Sequence, residues 1–279
     1  MKILMTGHEG FIGKNMKPYL ESKGHEVTGF EWNNEVGGFP DVKDQDLVIH
    51  LGAISSTAAK NIPLIMDKNY EFSYKLLVAC MEAGVDMHYA SSASVYGQQD
   101  PNIVKMSEET IPSPNSPYSW SKYMFDRLIE NSLDKLPIKV YGFRYFNVYG
   151  PNEEHKGNQA SPFTKWHSKS KSIDCTITLF EGSSLIKRDF IHVDDVINMH
   201  EFFFDNDAPS GIYNVGTGIA TSFETLAITT GMQIMIAPFP DEIRHQYQYW
   251  TCADNSKLLA QIPDNYEFKD CLKYWDSLQ

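Results

Sequence analysis

Cysteine is scarce in this chain. There are four in 279 residues (Cys80, Cys175, Cys252 and Cys271), and none stands in C-x-x-C spacing. Such a set builds neither a disulfide framework nor a zinc site, and it reads as isolated thiols in a reducing compartment. Bases are outnumbered, 24 Lys and Arg against 36 Asp and Glu, for a formal net charge of -12. That balance disfavours nucleic acid as a general partner but leaves room for an anionic small molecule held by a local cluster of donors. No apolar run approaches about 18 residues, so no membrane span is expected. Internal repeats and low-complexity tracts are absent. The start, MKILMTGHEGFIG, enters a strand at once and leaves no room for a signal peptide. A cytoplasmic location is expected.

What is present is an ordinary globular composition, 42% hydrophobic and 22% charged. Strand-like runs at 2–6, 26–30, 46–51, 85–91 and 139–145 alternate with helical patterns at 12–23, 66–83 and 119–133. Gly84 and Pro137 close the second and third helices. This alternation predicts an α/β fold with a mostly parallel sheet covered on both faces. Only residues 31–45, with Gly37, Gly38 and Pro40, separate the second and third strands. A crossover helix plus another strand hardly fits there, so that edge of the sheet is expected to be reduced. Beyond residue 150 the pattern loosens, with short strands at 177–180, 189–191 and 212–215 and helices at 194–204 and 222–230.

Gly7, Gly10 and Gly13 follow the first strand and open the first helix. In a Rossmann-type turn the first glycine permits the tight turn, the second a close approach of pyrophosphate, and the third close packing of helix on sheet. Free N–H groups at the helix start favour that anion. Glu31 ends the second strand about 20 residues later, placed to accept from a ribose 2′-hydroxyl. Trp32, Asn33 and Asn34 add no base for a 2′-phosphate, so NAD is preferred over NADP. The prediction is a Rossmann-type doubly wound sheet. Residues 1–150 form the dinucleotide-binding domain with the catalytic residues. Residues 151–279 are mainly a smaller substrate-binding subdomain, with some segments returning to the first.

Tyr118 and Lys122 are an i,i+4 pair that falls on one helix face. A cation near the phenol is expected to lower its pKa from about 10. Such a tyrosine exchanges a proton with a substrate hydroxyl while hydride leaves the same carbon. Lys122 is also placed to bond a nicotinamide ribose, and Ser92, just after an apolar strand, to hold the reacting oxygen.

The segments TGHEGFIG (6–13), HLGA (50–53), YASSASVYG (89–97), YSWSK (118–122), FRYFNVYGP (143–151), KRDFIHVDDV (187–196) and YNVGTG (213–218) follow in order over nearly the whole chain. In them the chain resembles the extended short-chain dehydrogenase/reductases, the NAD-dependent epimerase/dehydratase family that acts on nucleotide sugars. The resemblance implies that Ser92, Tyr118 and Lys122 are the catalytic serine, tyrosine and lysine. It places Phe11, Ile12, Leu51, Gly52, Ala53 and Asn69 beside the glycines and Glu31 around NAD or NADP. Dehydratases of the family carry an acid pair just beyond the serine. Here that stretch is Ser92-Ala93-Ser94-Val95, so dehydration is disfavoured.

Within the family the chain resembles the ADP-glycero-manno-heptose 6-epimerases, in EEHKGNQAS (153–161), LFEGS (179–183) and PFPDEIRHQYQYWTCADNSKL (238–258). That likeness implies Lys156 as a second acid/base and inversion at C6 of the heptose by oxidation and re-reduction. Asn147 and Arg188 are expected at the diphosphate, a guanidinium being suited to bidentate phosphate binding. Tyr247 and Gln248 are expected in the sugar-nucleotide pocket. The likeness departs at the short 31–45 segment and at Gln246, where relatives commonly carry a base for which Arg244 is a candidate substitute. A C4 epimerase or ketosugar reductase on another nucleotide sugar is the alternative enzyme, and a catalytically degenerate nucleotide-binding protein the non-enzyme alternative. Relatives form homo-oligomers through the helices here at 66–83 and 119–134.

Overall fold

A computed structural model describes residues 1–32, 38–56, 59–100, 102–172, 175–204, 207–241 and 247–278. The readings at Asn33, Asn34, Gly37, Arg244 and Gln246 lie outside them. Strands β1 (Lys2–Thr6), β2 (Glu26–Phe30), β3 (Leu47–His50), β4 (Asp86–Ser92), β5 (Val140–Tyr145) and β9 (Gly211–Val215) form one sheet in the order β2-β1-β3-β4-β5-β9. Every pairing in it is parallel. The chain leaves β1 toward β2 on one side and later returns to β3 on the other, so the strand order reverses between β1 and β3. In open α/β sheets ligands sit outside the carboxyl ends at such a switch point. The reduced edge is as expected, since β2 closes the sheet and no strand occurs among the described residues of 31–46.

Both faces are buried, as a parallel sheet requires. On one face Leu4, Val48, Met87 and Val140 pack with Leu76, Leu77 and Cys80 of α3 (Phe72–Ala83) and Phe125 and Ile129 of α4 (Pro117–Glu130). On the other, Ile3, Met5 and Ile49 meet Met16 and Leu20 of α1 (Phe11–Ser22) and Val193 and Ile197 of α6 (Val193–Phe202). The helix expected over 66–83 is present but not uniform. A short helix α2 (Ile62–Met66) leads through a π-helical turn at Asp67–Glu71 into α3. Gly84 ends it at φ 70°, in the left-handed conformation that glycine adopts freely.

At Phe146 the chain leaves the main sheet. Strand β6 (Asn147–Tyr149) pairs in parallel with β8 (Lys187–His192), and β10 (Ala220–Ser222) joins β8 antiparallel. A parallel pair of β7 (Thr176–Phe180) and β11 (Gln233–Ala237) lies beyond. Tyr149, Phe163 and Trp166 of α5 (Pro162–Ser170), Ile177, Phe190 and Leu226 form this second core. Among the described residues no helix is long and apolar enough to cross a membrane.

Candidate active site

The carboxyl ends of β1, β3, β4 and β5 open on a cleft of about 700 Å3, roofed by the loop at 153–162 and by Tyr247, Gln248 and Thr251. At its floor Gly7 turns the chain at φ 73°, and a side chain there would meet the Gly52 backbone at 2.6 Å. A Cβ at Gly13 would collide with the Gly7 carbonyl, so the start of α1 packs on the turn only as glycine. Gly10 caps α1 without a side chain, leaving the first-turn N–H groups facing the cleft. Glu31 stands at one end, its Oε1 accepting from the Glu9 amide at 2.7 Å. Phe11, Ile12, Leu51, Gly52 and Ala53 complete this wall.

Ser92, Tyr118 and Lys122 meet at the other end. Ser92 is the last residue of β4, in register with Tyr145 on β5. Tyr118 lies in the first turn of α4, whose start is fixed by Pro117 at the first position and a reciprocal Ser116–Ser119 capping box. Lys122, one turn on, is buried and its Nζ donates to the Ala90 carbonyl at 2.8 Å. Burial pushes the Lys122 ammonium down to about 8, partly offset by the nearby Asp126 charge. The expected depression of the Tyr118 pKa is not found. Desolvation in the cleft wall raises it, and only its hydrogen bond with Ser92 pulls the other way. Lys122 spends its charge on a backbone carbonyl rather than on the phenol.

The loop residue Lys156 also lines the cleft. Its Nζ lies 5.1 Å from the Phe11 ring centre and 3.0 Å from Glu153 Oε1. Asn147, Tyr247 and Gln248 also line the cleft. The Asn147 side chain accepts from Thr251 at 3.3 Å, and Gln248 donates to the Gly97 carbonyl at 2.6 Å. Two expected residues stand behind the wall. Asn69 is buried in the π-helical turn, exchanging hydrogen bonds with Ile54 and donating to Ser121 at 3.0 Å, so it braces the Ala53–Ser56 loop against α4. Arg188 is buried with its guanidinium over Phe223 and Tyr247, both of which line the cleft. Its Nη1 donates to the Lys187 carbonyl.

Sequence reasoning missed several lining residues: Glu153, Ser161, Lys165, Tyr145 and Thr251. Glu153 was visible as the acid three residues before Lys156, though its burial was not. A second, smaller pocket continues from Glu31 and is lined by Trp32, Ile54, Phe72 and Lys68. Lys68 lies over the Trp32 ring and pairs with Asp67 at 2.9 Å. It comes from the π-helical turn, so proximity to Glu31 along the chain gave no hint of it.

This arrangement fits a nicotinamide dinucleotide. A side-chain-free helix start faces the centre for the diphosphate, a carboxylate and an apolar pocket lie at one end for the adenosine, and a Ser-Tyr-Lys cluster lies at the other. The buried Ser94 hydroxyl, also in the cleft, has no hydrogen-bond partner among the described residues. Solved structures share the fold. The chain is similar to the Helicobacter pylori ADP-L-glycero-D-manno-heptose-6-epimerase, with a TM-score of 0.85 and 23% identity over 99% of this chain and 94% of that one. It is similar to the UDP-glucose-4-epimerase of Stenotrophomonas maltophila with bound NAD and formylated UDP-arabinopyranose, with 0.80 and 23% over 100% and 96%. It is also similar to RMD from Pseudomonas aeruginosa complexed with NADPH, with 0.79 and 20% over 99% and 97%. Residues 3–216 match the sequence profile of the NAD dependent epimerase/dehydratase family, and the chain belongs to that family.

Proposed function

We propose that the protein epimerises a nucleoside-diphosphate sugar by transient oxidation and re-reduction of one carbon, and that the sugar is ADP-glycero-manno-heptose, inverted at C6. The observation that carries this reading is the convergence of Tyr118 from α4 and Lys156 from the 153–161 loop on one cleft. In this chemistry the carbon exchanges hydride and its oxygen exchanges a proton, so inversion needs an acid/base group at the oxygen in each of two substrate orientations, and Tyr118 and Lys156, from different elements, would serve them. The likeness to the Helicobacter pylori heptose epimerase supports the choice of sugar.

In this reading Ser92 holds the reacting hydroxyl and Tyr118 takes its proton as the phenolate, the form that its hydrogen bond with Ser92 favours against desolvation. A nicotinamide dinucleotide held along Gly7, Gly10 and Gly13 toward Lys122 would supply the hydride acceptor and donor for that carbon. The ketone then presents its opposite face, and Lys156 gives the proton to the oxygen as the C–H bond reforms. Lys122 anchors the tyrosine end through Ala90 and would bond the nicotinamide ribose. Phe11, Ile12, Leu51, Gly52 and Ala53 enclose the dinucleotide with the glycines, and Asn69 serves it by bracing the loop. Glu31 favours NAD. Asn147, Tyr247, Gln248 and, through the rings it supports, Arg188 serve the sugar nucleotide. Residues 1–150 carry the dinucleotide and 151–279 mainly the sugar, with α6 and β9 returning to the main sheet. A homo-oligomer would seat α3 and α4, whose outer faces expose Tyr74, Trp120 and Met124.

The test is incubation with ADP-D-glycero-D-manno-heptose and separation of the C6 epimers by anion exchange. Conversion to the L-glycero epimer supports the assignment. Absence of conversion with both NAD and NADP, alongside turnover of a UDP-, GDP- or dTDP-sugar at C4, would move the substrate to the alternative reading.

A further inference from the structure

We propose that Glu153 is the positioning residue of Lys156, holding the ammonium in the cleft and affecting the chemistry only through it. The inference rests on Lys156 being the second acid/base. Glu153 is 1% exposed although its sequence neighbours are polar. A carboxylate so removed from water is tolerated only when it is paired and hydrogen-bonded. Here four donors converge on it. Oε1 accepts from Lys156 Nζ at 3.0 Å and from the Ser161 amide at 2.9 Å. Oε2 accepts from the Ser161 hydroxyl at 2.5 Å and from the Thr164 hydroxyl at 2.9 Å. The three neutral donors, from Ser161 and Thr164, fold the loop from 153 to 164 around the carboxylate. The fourth bond is the one that reaches chemistry.

Lysine is long and flexible, and an ammonium in a water-filled cleft has no reason of its own to hold one position. The Glu153 carboxylate fixes it from the loop side, and the Phe11 ring faces it from the glycine-rich side. The same carboxylate serves a second cation, because burial lowers the pKa of Lys165 and the Glu153 charge opposes that shift. Glu153 is thus a built anionic post in the sugar side of the cleft. It presents one lysine to the cleft while its own side chain is spent on the four donors around it.

The experiment is steady-state kinetics of C6 epimer interconversion with the cofactor-loaded full chain, using Glu153→Gln, Lys156→Met and the double variant. A residue acting through another gives a non-additive cycle. Glu153→Gln is expected to lower kcat at least about tenfold, within the range of acid/base effects, with KM moving less than about threefold. The double variant is expected to match Lys156→Met alone. Losses that multiply, or a wild-type kcat in Glu153→Gln, would overturn the inference while leaving the two-base reading intact. A wild-type kcat in Lys156→Met would overturn that reading and this inference with it. Should Glu153→Gln melt below the assay temperature, Ser161→Ala removes one donor and keeps the charge. Its smaller kcat loss must likewise vanish in the Lys156→Met background, and an additive loss contradicts the inference.

Discussion

Asp126 and Arg144 form an ion pair at 2.8 Å in the core, with both side chains no more than 1% exposed. Asp126 also accepts from Tyr89 and Ser91, and it lies one turn beyond Lys122 on α4. Removing one partner of a buried pair strands the other charge, which typically destabilises by about 3–5 kcal/mol. Asp126→Ala is therefore expected to lower the urea midpoint sharply. A shift below about 1 kcal/mol would mean that Arg144 finds another partner.

The same carboxylate supports the charge on Lys122, which burial alone drives down. A fully folded Asp126→Asn protein should hold Lys122 below about 8. The pH dependence of reductive methylation at Lys122, read by mass spectrometry, checks this. A value above that of the wild type would contradict the assignment of Asp126 as the opposing charge.

Acid should unfold this protein early. Burial lowers His50 and His88 from 6.5 to about 3 and His192 to about 4, and His200 falls well below its usual value. Between those values and 6.5 the unfolded chain binds protons that the folded one refuses, so stability rises with pH there and is lost as pH falls. Each such histidine contributes a slope of up to about 1.4 kcal/mol per pH unit. Thermal unfolding at pH 7, 6 and 5 should give falling Tm values, and a flat profile would contradict the buried neutral histidines.

Much of this architecture was legible before any coordinates. The β1–turn–α1 unit, the reduced edge after β2 and the Tyr118–Lys122 face follow from spacing that local physics reads directly. What failed was tertiary. The Tyr118 pKa follows desolvation, and no sequence spacing reports how much water a cleft wall excludes. The burial of Glu153 was not legible, because the groups that bury it, Ser161 and Thr164, stand eight and eleven residues away. The helix through Asn69 read as uniform. Its π-helical turn accompanies a buried amide bonded to Ile54 and Ser121, a demand set by neighbouring elements.

Replacing Tyr118 by Phe deletes the proposed proton acceptor but preserves the ring. The expected result is a kcat loss of about 10²- to 10⁴-fold, with sugar-nucleotide KM and cofactor affinity changed little. Wild-type kcat would remove Tyr118 from the chemistry.

Cofactor choice should depend on both Glu31 and Lys68. Trp32, at the mouth of the second pocket, offers a fluorescence reporter of binding. NAD is expected to quench it at lower concentration than NADP. Glu31→Ala should narrow the ratio, and Lys68→Met should weaken NADP more than NAD, by up to about tenfold for one lost charge-assisted contact. Equal effects on both cofactors would place Lys68 outside the ribose contact.

The most direct test follows the hydrogen on the inverted carbon. Substrate deuterated at that carbon is converted in ordinary water, and the product epimer is examined by NMR. Transient oxidation with internal return predicts that the deuterium stays on the inverted carbon. Replacement of the deuterium by solvent hydrogen would mean that the carbon is deprotonated and reprotonated, and it would contradict the account.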